Sequence, residues 1–284
     1  MAERCSSTIV GNASSVSLSG ARSTCTLPLA EPPDEVPLYM RWEQFLPTVE
    51  NVRFVQVGAN CGANTAACSA GGDPIWRYAA QCGWRGVAIE PVQRTFDQLC
   101  ANYARLSPRV TPLRALVSDA AKSDGLVIAD PKYSELNRAP TESERAHYLS
   151  AVSNGSGHGD GAQHHSGRKR QVPKVERVPT VLLRDVWPRG VPRHVPLVLV
   201  IDAEGYEPTL LGRSTSLPRP PPDAILFEAV HLTADDRGSI DANLRRQGYA
   251  RRGMLKHMDA VARRSNKVHD WLYMRTNYTS SRRQ

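Results

Sequence analysis

The stretch RFVQVGANCGANTAACSAGGDP, residues 53–74, decides the fold of this chain. It opens as an apolar run typical of a buried strand and then breaks into glycine, asparagine and more glycine. Gly58 and Gly62 suit a tight turn, and Asn60 tolerates a positive φ almost as well as glycine does. Backbone bared in this way directly after a strand predicts a ligand that approaches the main chain closely.

The spacing of this loop distinguishes between classes of nucleotide ligand. A dinucleotide-binding loop reads G-x-G-x-x-G, but this chain has Asn60 at the second glycine position and Ala63 at the last. The spacing is closer to G-x-G-x-G, which suits a nucleoside without a pyrophosphate, such as S-adenosylmethionine. A glycine turn that binds nothing is the alternative interpretation.

Glu90 follows the next predicted strand, GVAIEP, and strengthens the nucleoside interpretation. An acid at the tip of the strand after a glycine loop is placed to accept hydrogen bonds from both ribose hydroxyls. The alternative is that Glu90 only caps the helix that begins after Pro91. Together the loop and the acid favour a nucleoside ligand.

Strand-like and helix-like segments alternate along the chain, which predicts a doubly wound α/β sheet. Because ligands gather at the carboxyl ends of strands in such sheets, we expect the site there. The predicted strands are 54–58, 86–91, 110–118, 196–203, 224–230 and 271–275. The predicted helices are 74–83, 94–106, 207–213 and 235–248.

Length and composition predict one large domain with tails. Of the 284 residues, 40% are hydrophobic, which is enough to bury one sizeable core. Residues 1–37 are predicted to be a disordered or targeting tail, residues 38–276 the domain, and residues 277–284 a second tail. A flexible insert is expected at about 138–172.

The insert contains four possible metal ligands, His158, Asp160, His164 and His165. Their glycine-rich flanks fix no geometry, so a disordered insert is the better interpretation. No residue of the chain is assigned as a metal ligand on this basis.

Charge and hydropathy argue against two kinds of partner. The formal net charge is +8, but the positive charge is spread as arginine over most of the chain, and no nucleic-acid partner is expected. No run approaches the roughly 20 apolar residues of a membrane span, so no membrane partner is expected either.

The cysteines predict a reducing compartment. None forms a C-x-x-C pair and none lies beyond residue 100, so neither a disulfide framework nor a zinc site is indicated. A cytoplasmic location fits best, and an organelle is the alternative because residues 1–30 are rich in serine and threonine and poor in acids.

Three acids arrive at the end of the strand VLVIDAEGYE: Asp202, Glu204 and Glu207. Acids just beyond a buried strand are costly unless they bind something. They could hold a divalent cation, Asp202 or Glu204 could act as general base, or they could cap the following helix. Capping is favoured for Glu207, and a functional role is favoured for Asp202 and Glu204.

The next strand, AILFEAVHL, repeats this arrangement with Glu228 and His231. A histidine with a pKa near neutrality can take a proton from an alcohol, so His231 joins Asp202 and Glu204 as a candidate catalytic residue. An ordinary, partly buried histidine is the alternative.

Six motifs in the same order resemble the FkbM-type methyltransferases, a family of class I S-adenosylmethionine-dependent enzymes. The motifs are FVQVGANCG, GDP, CGWRGVAIEPV, FDQLCANYA, VLVIDAEGYEPTLLGR and ILFEAVHL. The resemblance implies a seven-stranded Rossmann-like sheet whose last strand is antiparallel. It also implies that a methyl group is transferred, usually to oxygen.

The resemblance extends the candidate cofactor site beyond Gly58, Asn60, Gly62 and Glu90. Ser118 and Asp119 stand where class I methyltransferases commonly meet the adenine ring, although a turn-forming aspartate is the alternative. Gln56 stands where many family members have an acid, so it offers a neutral amide and no ion pair to the ammonium group of the cofactor.

The sequence thus predicts an S-adenosylmethionine-dependent methyltransferase that acts on a hydroxyl of a small molecule or glycan. A dependence on a divalent cation is left open. The alternative function is a non-catalytic nucleoside-binding protein that retains the fold, and Gln56 and the long insert are its support.

Overall fold

The structure, a computed structural model, describes eight stretches of the chain. They are residues 3–5, 40–62, 73–106, 108–119, 124–129, 174–212, 216–256 and 268–277. The predicted insert at 138–172, with its four possible metal ligands, lies outside the described residues, as does most of the predicted N-terminal tail.

The described residues contain strands and helices in alternation. The strands are β1 (Glu3–Arg4), β2 (Arg53–Val57), β3 (Arg85–Ile89), β4 (Val110–Arg114), β5 (Leu116–Ser118), β6 (Asp124–Ala129), β7 (Lys174–Leu182), β8 (Leu197–Ile201), β9 (Ala224–Glu228), β10 (Tyr249–Lys256) and β11 (Val268–Arg275). The helices are α1 (Trp76–Gln81), α2 (Gln93–Tyr103), α3 (Leu183–Val186), α4 (Glu207–Leu211) and α5 (Ala234–Arg246). Short 3₁₀ helices lie at Trp42–Gln44 and Ala104–Leu106.

One mixed sheet, mostly parallel, organises the chain. Its strand order is β1-β4-β3-β2-β8-β9-β11-β10. The five adjacent strands β4, β3, β2, β8 and β9 are parallel to one another, whereas β11 is antiparallel to both β9 and β10. The last strand is therefore antiparallel, as the sequence resemblance implies. The two-residue β1 adds an antiparallel edge next to β4.

Hydrophobic cores lie on both faces of this sheet because its central strands are apolar at every position. All five residues of β8 are buried. Val198 and Val200 pack into one core with side chains of α1 and α2, whereas Leu199 and Ile201 pack into the other with side chains of α4 and α5. Strands buried on both faces are expected of parallel sheets covered by helices.

A second sheet of three strands has the order β5-β7-β6. Its strand β5 is parallel to β7, and β6 is antiparallel to β7. Glu176 of β7 ties this sheet to the main one, since its Oε2 accepts a hydrogen bond from Gln93 N–H at 2.9 Å and pairs with Arg114 at 3.3 Å. The second sheet therefore packs beside the start of α2.

The prediction of one strand over 110–118 is wrong, because the chain changes sheets at Ala115. Residues up to Arg114 pair with β3, and residues from Leu116 pair with β7. The stretch VTPLRALVS gives no sign of a change of partner, since most residues in both halves are buried. Strand β10 was not predicted either, because exposed Arg251 and Arg252 interrupt its apolar pattern.

The prediction that the cysteines form no disulfides is also wrong. Cys5 and Cys100 are joined by a disulfide bond across a separation of 95 residues. Cys61 and Cys82 are disulfide-bonded as well. Cysteines distant in sequence give no local signal of pairing. The reducing compartment inferred from them has lost its basis, because disulfides persist in oxidising environments.

Glu3–Arg4 lies at the edge of the main sheet, beside β4. Within the described stretches, every helix is too short or too polar to cross a membrane.

Candidate active site

The glycine loop follows β2 at the carboxyl edge of the sheet, in a conformation that only a few residue types tolerate. Gly58, Asn60 and Gly62 all have positive φ, at 74°, 48° and 61°. A Cβ atom on Gly58 would lie 1.6 Å from the carbonyl oxygen of Asp202, so the backbones of β2 and β8 approach each other more closely than any side chain allows. The glycine here is required by close approach as well as by φ.

Glu90 is buried at the end of β3 and holds the glycine loop. Its Oε2 accepts a hydrogen bond from Asn60 N–H at 3.0 Å, and its Oε1 accepts one from Val92 N–H at 2.9 Å. Burial raises the pKa of Glu90 to about 7, and the charge of Asp202 adds to the rise, although the two backbone bonds oppose it. The cap interpretation and the ligand interpretation are both compatible with this geometry, since a carboxylate has about four acceptor sites.

A cleft of about 650 Å³, including its open mouth, lies between these groups and the second sheet. Its polar residues come from the ends of β2, β3 and β8, and its apolar walls come from both sheets. The side chains and backbone that line it belong to Val57, Gly58, Asn60, Ile89, Glu90, Pro91, Ala115, Leu116, Val117, Val127, Asp202, Ala203, Glu204 and Tyr206.

Gln56, near the end of β2, has a side-chain oxygen that accepts no hydrogen bond. The residue is 3% exposed, its side chain hydrogen-bonds to Asp73, and its Oε1 is buried without a hydrogen-bond partner. Asp73 accepts hydrogen bonds from Ile75 N–H at 2.6 Å and Trp76 N–H at 2.9 Å at the start of α1. A buried orphan acceptor is costly, so Gln56 is suited to a ligand that donates a hydrogen bond.

Carboxyl groups crowd the ends of β8 and β9. Asp202 is exposed to the open cleft, and desolvation by the protein atoms around it still raises its pKa to about 6. Its side chain hydrogen-bonds to Glu228, which requires one of the two groups to be protonated. Burial, and then the charge of Asp202, raises the pKa of Glu228, so Glu228 carries the proton. Asp270, opposite Glu228 on β11, has a pKa raised to about 7 by burial.

Glu204 and His231 form the outer part of this cluster. His231 Nε2 lies 3.2 Å from Glu204 Oε2 and 3.8 Å from Glu228 Oε2, and the histidine side chain is 50% exposed. One ligand atom from each of these three residues lies within 4.8 Å of the others, a spacing at which a metal ion could bind. Glu204 has a positive φ of 50°, which is uncommon for a residue other than glycine.

Glu207 is fully buried and has a structural role in the same loop. It accepts hydrogen bonds from Ala203 N–H at 2.6 Å and Gly205 N–H at 2.9 Å. Burial nevertheless raises its pKa to about 7. Glu207 thus holds the turn that carries Glu204 and leads into α4.

Ser118 and Asp119 lie beside the cleft rather than in its lining. Asp119 Oδ1 accepts a hydrogen bond from Ser118 Oγ at 3.4 Å and another from the hydroxyl of Tyr206 at 3.5 Å. Tyr206 lines the cleft, so it connects both residues to the site. Ser118 is buried and Asp119 is exposed at the end of β5.

The structure brings five of the ten predicted site residues into the cleft lining: Gly58, Asn60, Glu90, Asp202 and Glu204. The others surround it. Gln56 hydrogen-bonds to Asp73, Gly62 rests against Tyr103, His231 pairs with Glu204, and Ser118 and Asp119 contact Tyr206.

Sequence reasoning missed four residues of this region: Asp73, Val127, Tyr206 and Asp270. Tyr206 and Asp73 stand inside the motifs IDAEGYE and GDP, so their positions were visible although their roles were not. Val127 and Asp270 reach the site through strand pairings that no local pattern encodes.

Replacing Glu228 with glutamine should stabilise the protein at pH 8. The pKa of Glu228 is raised on folding, so the stability it contributes is fully present below its unfolded pKa and is lost as pH rises toward its folded pKa. Glutamine mimics the protonated carboxyl and removes this loss. We expect the Tm at pH 8 to rise by about 3 °C or more, with a smaller gain at pH 5. A lower Tm at pH 8 would contradict the assignment of the proton to Glu228.

The fold and the site together define an α/β protein with a cleft at the carboxyl ends of its parallel strands, the edge at which open α/β sheets bind their ligands. The sequence profile of the Methyltransferase FkbM domain matches residues 60–250, about two thirds of the chain, so the chain belongs to the FkbM methyltransferase family. No curated protein and no solved structure matches the chain.

Proposed function

We propose that this protein uses S-adenosylmethionine to methylate a hydroxyl oxygen of a small molecule or sugar. The observation that carries the proposal is the convergence of Gly58, Asn60 and Glu90 on one cleft. The strand order and the two buried faces of the sheet support the doubly wound, Rossmann-like arrangement of class I methyltransferases.

The residues of the cleft fit this cofactor. Glu90 keeps acceptor capacity beyond its bonds to Asn60 and Val92, and two ribose hydroxyls would use it. Val117 and Val127 offer apolar surface to an adenine ring. Gln56 Oε1 is buried without a hydrogen-bond donor. The ammonium group of S-adenosylmethionine would supply such a donor.

The charge of the site supports a cationic ligand. Desolvation raises the pKa values of Asp202, Glu228 and Asp270. The charge of Asp73 adds to the rise for Asp202, and the charge of Asp202 adds to it for the other two. A ligand with net positive charge relieves this repulsion, since an opposite charge favours the ionised form of each carboxyl. S-adenosylmethionine, with an ammonium, a sulfonium and one carboxylate, has such a charge.

Asp202 is the candidate general base. S-adenosylmethionine supplies a methyl group on a positively charged sulfur, which is a good leaving group. Asp202 lies in the cleft, and its raised pKa makes it a stronger base than an ordinary aspartate. Protonated Glu228 donates to it and holds its orientation. Glu204 and half-exposed His231 would contact the acceptor from the outer side.

Cofactor affinity should depend on pH through Glu90. Ribose hydroxyls donate to the ionised carboxylate, and the pKa of Glu90 in the free protein is raised to about 7. Below that pH the proton must leave before the ligand binds, so we expect the Kd for S-adenosylhomocysteine to rise about tenfold per unit as pH falls from 7 to 5. Titration calorimetry at several pH values measures this slope.

The control is the Glu90→Gln variant, which has no titrating group at this position. It should bind about 1 to 3 kcal/mol more weakly at pH 8 because a charge-assisted bond is lost, and its affinity should vary much less with pH. If the variant keeps the wild-type affinity and slope, Glu90 is only a cap for the backbone of Asn60 and Val92.

The proposal itself is tested in two steps with the whole chain. Titration with S-adenosylmethionine and S-adenosylhomocysteine, with and without Mg²⁺, measures cofactor binding and any part played by Glu204, Glu228 and His231 as metal ligands. Transfer of a radiolabelled methyl group to a panel of sugars and hydroxylated small molecules then identifies the acceptor. Binding without transfer to any acceptor favours the non-catalytic alternative, and the absence of binding refutes the proposed cofactor.

A further inference from the structure

Cys61 lies inside the glycine loop and is covalently tethered. The residue is 1% exposed and is part of a disulfide bond. Its neighbours on both sides, Asn60 and Gly62, have positive φ. The disulfide thus joins the loop at a residue that lies between two left-handed backbone conformations.

The hydrogen bonds of Cys61 connect Asn60 and Glu90, which line the cleft, to α2. Asn60 Oδ1 accepts from Cys61 N–H at 2.8 Å, and Asn60 N–H donates to Glu90. On the other side, Cys61 O accepts from Asn102 Nδ2 of α2 at 2.7 Å. Any displacement of Cys61 would therefore be passed to Asn60 and to the Glu90 carboxylate.

Helix α2, which provides the second anchor, is tethered as well. Cys100 of α2 is disulfide-bonded to Cys5, which directly follows β1 at the edge of the main sheet. A Cβ atom on Gly62 would lie 2.1 Å from a ring atom of Tyr103 on the same helix, so the loop rests directly on α2. The loop and the helix under it are both covalently restrained.

We propose that the disulfide of Cys61 positions the glycine loop for the cofactor, so that cofactor affinity depends on the oxidised state of this residue. The inference rests on the proposed function. Glycine-rich backbone has a large conformational entropy, and ordering it on ligand binding costs free energy. A loop that already has its bound conformation pays less of this cost. A cross-link restricts the same freedom covalently. Cys61 is a positioning residue and touches no reacting atom.

The proposal predicts that reduction weakens cofactor binding. Two electrons and two protons from dithiothreitol convert the disulfide to two thiols, and the reagent leaves as its own cyclic disulfide. The binding-competent form of the protein would then belong to an oxidising compartment.

The experiment compares two single substitutions in the full chain, Cys61→Ser and Cys82→Ser. Cys82 is a matched control because it is also buried and disulfide-bonded, but it follows α1, and its carbonyl accepts a hydrogen bond from Asn51 N–H before the start of β2. This is the edge of the sheet opposite the cleft. Both variants lose one disulfide, and the Tm of each is measured beside the Kd for S-adenosylhomocysteine.

We expect Cys61→Ser to weaken S-adenosylhomocysteine binding about tenfold or more and Cys82→Ser to change it less than about threefold, at comparable losses of Tm. Equal losses of affinity in the two variants, or none in Cys61→Ser, overturn the proposal. If the oxidised wild type does not bind S-adenosylhomocysteine at all, the proposed function is wrong. This result differs from one in which the wild type binds and Cys61→Ser binds equally well, which refutes only the role of the disulfide.

A second measurement on the wild type needs no folded variant. Binding and oxidation are reciprocally linked, so saturating S-adenosylhomocysteine should make the disulfide of Cys61 harder to reduce at equilibrium in buffers of reduced and oxidised dithiothreitol, and leave that of Cys82 unchanged. Alkylation of the free thiols at each buffer ratio, followed by mass spectrometry of the peptides, measures both equilibria. Equal effects of the ligand on the two cysteines overturn the proposal.

Discussion

Substituting alanine for Gly58 should abolish detectable cofactor binding. The added Cβ atom would lie 1.6 Å from the carbonyl oxygen of Asp202, and the residue has a φ of 74°. Neither backbone can yield cheaply, because Gly58 N–H donates to Ile89 O and Asp202 N–H donates to Val57 O at the ends of three parallel strands. We expect the Kd for S-adenosylhomocysteine to rise at least about 100-fold, measured by titration calorimetry.

The control for this substitution is Gly190→Ala. Gly190 also has a positive φ, at 64°, but an added Cβ atom would meet nothing within 4 Å. Gly190→Ala should lower the free energy of unfolding only by the strain of a left-handed conformation, about 1 to 2 kcal/mol, and should leave cofactor affinity unchanged. Gly58→Ala with an affinity within threefold of the wild type would show that β2 and β8 can separate and that the close approach is dispensable.

Replacing Asp202 with asparagine should lower methyl transfer far more than cofactor binding. The amide keeps the size of the carboxyl and can still hydrogen-bond to Glu228, but it accepts no proton from an acceptor hydroxyl. Loss of a general base typically costs 10²- to 10⁴-fold in rate, so we expect kcat to fall about 100-fold or more with a nearly unchanged Kd. Steady-state kinetics with the acceptor found in the screen measures the first quantity, and calorimetry the second.

The exposed Asp97 of α2 provides a control, since Asp97→Asn removes a carboxyl far from the ends of β8 and β9 and should leave kcat unchanged. Equal losses of kcat and cofactor affinity in Asp202→Asn would reassign Asp202 to binding. In that case the pair formed by Glu204 and His231 becomes the next candidate for the base.

Local patterns predicted much of the fold because the strongest elements are periodic or uniformly apolar. The helix predicted at 94–106 corresponds to α2 and the following 3₁₀ turn, and that predicted at 235–248 corresponds to α5, which a Thr233–Asp236 capping box begins. The strand LVLVI was predicted from its apolar run alone. Local patterns failed where the structure depends on which strands pair. At Ala115 one predicted strand divides into β4, which pairs with β3, and β5, which pairs with β7.

The candidate site shows the same division. Gly58, Asn60, Glu90, Asp202 and Glu204 were found from sequence because parallel strands place their carboxyl ends at one edge, so residues that follow separate strands must meet. The hydrogen bond between Asp202 and Glu228 was not found, since no spacing along the chain reports which carboxyl keeps the proton. Burial and the neighbouring charges decide that.

The sequence by itself determined the α/β class, the glycine loop and the acids that follow the strands, because these depend on residue types within a few positions of each other. Only the tertiary structure decided the disulfide between Cys5 and Cys100, the wall that the second sheet adds to the cleft, and the raised pKa values of the acidic cluster. Each of these depends on atoms that come from distant parts of the chain. Their proximity exists only once the sheet has formed.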